Sequence, residues 1–153
     1  MSFLFRPKER ALSVYITNDE CGAIAQDVLN ALSEVYAKRQ MQVTHSVKQV
    51  GFSFEDMLES KPVYDEGVKS ILKSLETRSF PVLLLDGKVL QPGGFLSFYT
   101  LFKSLSLRDE ELRTVLALVE KGREYQAKAM KKFLVQQAQK KLASLAAQEV
   151  NVP

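Results

Sequence analysis

One thiol and one imidazole are the scarce reactive groups of this 153-residue chain: Cys21 in "TNDECGAIAQDVLNAL" and His45 in "QVTHSVKQV". Cys21 follows Asn18, Asp19 and Glu20 and precedes Gly22, where a strand-like run gives way to a helical one. A thiol at a helix N-terminus faces unpaired backbone N–H groups and the positive end of the dipole. Both favour thiolate, the form that attacks disulfides. Asp19 and Glu20 act in the opposite sense, because carboxylates beside a thiol oppose its ionisation. A single Cys cannot close an internal disulfide, and one Cys with one His cannot complete a four-ligand zinc site, so no metal centre is expected. His45, mid-strand, reads as a surface histidine, and Asp86 reads as a turn residue.

The elements that must position these groups follow from periodicity. "ALSVYIT" (Ala11–Thr17) is rich in β-branched and aromatic residues and reads as a strand. Ile24, Val28, Leu29, Leu32 and Val35 recur at helical spacing, predicting an amphipathic helix from about Gly22 to Arg39, with Asn18 or Asp19 as cap. Gln42–Val50 reads as a second strand. Residues 51–61 read as a loop with a short helical turn, and Pro62–Glu76 as a second helix. "FPVLLLDGKVLQPGG" holds an apolar strand, the Asp86-Gly87 hairpin signal and a returning strand. After Gly93 and Gly94, "FLSFYTLFKSL" reads as a buried helix, with Phe95, Phe98, Tyr99 and Phe102 in the core. The order of elements predicts an α/β fold: a four-stranded mixed sheet flanked by helices on both faces, closed by about Leu105.

Beyond Leu107 the character changes. "LRDEELRTVLALVEKG" suits a helix ending near Gly122. The stretch that follows carries Met130, Phe133, Leu134, Ala138, Leu142 and Leu145 at helical spacing. That stripe must dock on the body, on a protein partner or on another copy of the chain. Charge divides at the same place. Residues 121–153 hold seven Lys or Arg against two Glu, giving +5, while residues 1–120 carry −2. Lys128, Lys131, Lys132, Lys140 and Lys141 could meet phosphates or an acidic protein, or form a solvated face. No aromatic–basic interleaving points to nucleic acid. No apolar run reaches the roughly 20 residues that a membrane span requires, and "MSFLFRPKER" lacks the features of a signal peptide, so cytoplasmic residence is the expectation.

The element order, with a Cys before the first helix and "FPVLLLDGKVLQPGGF" later, resembles the thioredoxin superfamily and, within it, the glutaredoxins. The resemblance spans about Ser13 to Leu105 and implies a division into a lead-in (residues 1–10), a glutaredoxin-like domain (11–106) and a basic helical C-terminal extension (107–153). It implies that Cys21 is the catalytic nucleophile, that Pro81 is a cis-proline, and that Phe80, Pro81, Gly93 and Gly94 frame an extended substrate such as glutathione. The departures from the family pattern are specific. Ile24 stands where dithiol members have a second Cys and monothiol members a Ser. Asn18, Asp19 and Glu20 replace the Lys that usually precedes the Cys. Leu96 and Ser97 stand where acids would hold the glutathione amine. Two functions follow from this pattern. One is a protein–protein interaction or structural module with a degenerate single-Cys site and no cofactor, its interaction tail carrying Met130, Phe133, Leu134, Leu142 and Leu145. The other is a monothiol thiol–disulfide oxidoreductase using Cys21, whose sulfur would face solvent beside the proline.

Overall fold

A computed structural model describes residues 9–59, 70, 73 and 79–150. Its elements are β1 (Arg10–Ile16), α1 (Glu20–Lys38), β2 (Val43–Gln49), α2 (Phe54–Leu58), β3 (Val82–Leu85), β4 (Lys88–Val89), α3 (Ser97–Ser104) and α4 (Arg113–Val150). The strands form one mixed sheet in the order β2-β1-β3-β4. β1 runs parallel to β2 and antiparallel to β3, and β3 pairs antiparallel with β4. This is the arrangement expected from a strand–helix–strand unit followed by a hairpin. The hairpin turn has positive φ at both Asp86 and Gly87, the conformation that an Asp-Gly pair suits. Asp86 does more than turn the chain, because its carboxylate accepts from Arg10 Nε at 2.6 Å and from the Ala11 N–H at 2.9 Å. The helix expected over 62–76 lies outside the described residues, except that Ser70 and Lys73 are helical.

Alternation along β1 sends Leu12, Val14 and Ile16 to one face of the sheet, where Leu83 and Leu85 join them. Ile24, Ala25, Val28, Leu29, Leu32 and Val35 of α1 cover that face, together with Phe98, Leu101 and Phe102 of α3. Phe95, just before α3, is buried among them, so the three phenylalanines of the aromatic run are core, while Tyr99 is only partly buried and packs at its edge. The opposite face gathers a smaller apolar group around Val50, Phe52, Phe80 and Val82. β2 pairs His45 with Leu12, so His45 shares the parity of Val43 and Val47 and faces α1. The imidazole stacks edge-on against Tyr36, with ring centroids 5.3 Å apart, and is half-buried, not on the surface.

The core does not stop at Leu105. Leu107, Leu112, Val115 and Val119 are buried in the same cluster, and α4 packs along α1. The acidic segment before α4 forms a separate 3-10 turn over Asp109–Glu111, and the helix starts at Arg113. It does not end near Gly122, as the sequence suggests, but continues without a break to Val150. The reason is packing: a Cβ at position 122 would fall on the Phe95 ring. Gly122 is the point of closest approach between α4 and the body, not a helix stop. Val115, Val119, Gly122 and Gln126 fall on one line of the helix at spacings of four and three residues, and that line faces the body.

Past this docking region the helix leaves the body. Every residue from Leu134 to Gln148 is exposed. Phe133 is only partly exposed and, with Leu58 of α2, lines a shallow cleft, so it does not belong to the free face shared by Leu134, Leu142 and Leu145. Among the described residues no helix is long and apolar enough to cross a membrane.

Candidate functional site

The site is assembled at the N-terminus of α1. Asp19 caps the helix, its Oδ1 accepting from the Gly22 N–H at 3.3 Å and from Thr17 Oγ1 at 2.6 Å. Its Oδ2 accepts from the Phe54 N–H at 2.9 Å, at the start of α2. One carboxylate therefore satisfies orphan donors at the beginnings of two helices and holds them together. Gly22 is required for a different reason: a Cβ there would collide with the Thr17 carbonyl as the chain turns from β1 into α1. Ile24, at the position where a resolving thiol or a serine would sit in the resembling family, is a core residue on the sheet side of α1.

Cys21 lies in the first turn of α1 and is only 1% exposed. The sulfur is not open to solvent. Gln126 of α4 lies over it, donating from Nε2 to Cys21 Sγ at 3.3 Å and to the Phe80 carbonyl at 2.5 Å. Phe80 precedes Pro81, and the peptide bond between them is cis. Gly94, with φ of 72°, completes the cluster. A Cβ at position 94 would stand 3.7 Å from both the Phe80 carbonyl and Gln126 Oε1. The structure therefore brings together Cys21, the Phe80 carbonyl with Pro81, and Gly94, residues that the sequence places up to 73 positions apart. Gly93 sits beside them as a half-buried residue in extended conformation.

Burial dominates the electrostatics of this thiol. Loss of hydration pushes the Cys21 pKa from its ordinary 9.0 up to about 11. The hydrogen bond from Gln126 works against that rise, the Asp19 charge adds to it, and Thr17 opposes it slightly. The helix terminus does not rescue the thiolate, because the Gly22 N–H is already taken by Asp19. Ser97 is fully buried, and its hydroxyl donates to the Gly94 carbonyl, leaving it no role with a ligand amine. Among the described residues no cluster of His, Cys, Asp and Glu could hold a metal ion.

Gln126 is the residue that sequence reasoning missed. Its signal was present: it continues the inward line of Val115, Val119 and Gly122 by one turn. A helix stop assigned to Gly122 hid it. Around it, Tyr99 Oη donates to Glu120 at 2.6 Å and Arg123 pairs with the same carboxylate at 2.8 Å, fixing α4 against α3. Neither a family model nor a curated protein sequence matches the chain.

Proposed function

We propose that this chain has a thioredoxin-like, glutaredoxin-type fold whose substrate face has been closed by its own C-terminal helix, and that it acts as a protein–protein interaction or structural module in a larger assembly. One observation carries the reading: Gln126 bonds both the thiol and the Phe80 carbonyl. In the resembling family, the backbone beside the cis-proline pairs with an incoming extended substrate. Here a side chain of α4 takes that hydrogen bond. The chemistry agrees with the geometry, since a buried thiol that ionises near pH 11 supplies little nucleophile at neutral pH. The scaffold keeps a different use, which is to anchor one end of a long helix whose other end stands free.

The alternative, monothiol exchange at Cys21, draws support from the convergence of Cys21, Phe80, Pro81 and Gly94 on one place. It requires Gln126 to withdraw before any substrate can reach the sulfur. The test is turnover of a glutathione mixed disulfide by the full chain. The module reading expects no Cys21-dependent turnover. Turnover that disappears in Cys21→Ser overturns it in favour of the oxidoreductase.

A further inference from the structure

Beyond Phe133 every residue of the long helix to Gln148 is exposed, yet the segment carries an ordered apolar seam. Val135, Ala138, Leu142 and Leu145 follow at spacings of three, four and three residues, the pattern that lines one edge of a helix facing another helix. Leu142 is 67% exposed, Leu145 48% and Val135 48%. The segment from Leu134 to Gln148 is about 20 Å long at 1.5 Å per residue, enough for a short two-helix contact.

Charge indicates what covers it. Lys128 and Lys131 continue the line of the seam toward the body and Lys132 and Lys141 lie beside it, whereas Lys140 falls on the opposite side of the helix; no acidic residue occurs between Ala127 and Gln148. We propose that the projecting half of α4 docks an acidic amphipathic helix of a partner protein, its apolar edge set against Val135, Leu142 and Leu145 and its carboxylates against the lysines along and beside that edge, Lys128, Lys131, Lys132 and Lys141. The proposal rests on the module reading above and names the chemistry of its partner. A second copy of the chain is the wrong occupant, because it would bring the same lysines to the same short seam with no acid between Ala127 and Gln148 to offset them. A bilayer surface is disfavoured because the free stretch has no aromatic residue to anchor it at the interface. Nucleic acid is disfavoured because the stretch has neither Arg nor an aromatic to stack on a base.

The experiment uses the full chain and a fluorescently labelled synthetic peptide of about three heptads, with Leu at the apolar positions and Glu flanking them. Two control peptides carry Lys in place of Glu, or Ser in place of Leu. Anisotropy should show binding of the Leu/Glu peptide that weakens at high salt and is roughly tenfold or more tighter than that of either control. Leu142→Ser with Leu145→Ser, and separately Lys131→Glu with Lys141→Glu, should each weaken it by a similar factor. These positions are exposed, so the substitutions leave the core intact, and an unchanged thermal melt verifies this. Equal binding of the Ser control would overturn the proposal, because attraction would then be charge alone. So would sedimentation of the free chain as a dimer that the leucine substitutions dissolve. Capture by phosphatidylserine–phosphatidylcholine vesicles without binding of the peptide would also overturn it. Turnover at Cys21 would remove the module reading while leaving these binding results as they stand, so the two failures are distinguishable.

Discussion

Replacing Gly122 with Ala separates a free helix from a docked one, because the two cases predict opposite signs. In an exposed helix interior, Gly→Ala stabilises by about 1 kcal/mol through backbone entropy alone. In this structure the new methyl group would lie on the Phe95 ring, which is itself 1% exposed and enclosed by core. With the ring enclosed in this way, either Phe95 leaves its position or α4 lifts from the body. Overpacking of this kind costs about 1–3 kcal/mol, and a direct overlap with a buried ring belongs at the upper end. The propensity gain offsets only part of that, leaving a net loss of about 1–2 kcal/mol. For a chain of this size each kcal/mol corresponds to about 2–4 °C in Tm. Urea denaturation followed by far-UV circular dichroism reads the stability. Alkylation of Cys21 in the native state reads the docking, since lifting α4 also removes Gln126 from the sulfur. Gly122→Ala should melt earlier and label faster than the parent chain. A variant that melts at or above the parent temperature, with Cys21 still protected, would refute the packing of α4 on Phe95.

Other outcomes follow from single residues. Asp19→Ala removes the α1 cap and the acceptor for the Phe54 N–H at the start of α2, whose own cap Ser53 stays in place, and should cost about 1–3 kcal/mol, measured by chemical denaturation. Tyr36→Phe should be neutral or stabilising in the same assay, because the buried Tyr36 hydroxyl has no hydrogen-bond partner among the described residues. His45 is held below its ordinary 6.5 by burial, so the unfolded chain takes up its proton first as pH falls. Its contribution to stability is therefore complete above about pH 6.5 and is lost progressively below it. Replacing His45 with Phe should flatten that part of the pH–stability curve.

The sheet was readable because its signals are local. The Asp86-Gly87 pair fixes the hairpin, and β-branched runs flanking an amphipathic helix fix the parallel β1–β2 unit. The error at His45 came from assigning it to the polar phase, although its parity matches Val43 and Val47. The clustering of Cys21, Phe80 and Gly94 followed from the resemblance, whereas the burial of the thiol did not. Burial depends on a contact between Cys21 and Gln126, 105 positions apart, and no local pattern in the sequence encodes such a contact. The misreading at Gly122 has the same origin. A glycine that ends a helix and a glycine that admits a neighbouring ring are indistinguishable until the ring's position is known. Asp19 shows a third kind of gap: its charge next to the thiol was legible, but its use as a shared cap for α1 and α2 depends on where Phe54 arrives.

The central claim is that the C-terminal helix closes the thiol site, and the pH dependence of Cys21 alkylation in the folded chain tests it most directly. A thiol raised from 9.0 to about 11 offers ~100-fold less thiolate at neutral pH than an unperturbed one, and Gln126 obstructs what remains. The account predicts slow labelling at neutral pH, with a rate that climbs through pH 9 and reaches half its limit near 11, provided the chain stays folded there. The same linkage makes the thiol's contribution to stability fade as pH rises from about 9 to about 11. Rapid labelling at neutral pH, with a midpoint below the free-thiol value of about 8.5, would contradict the account and restore Cys21 as a working nucleophile.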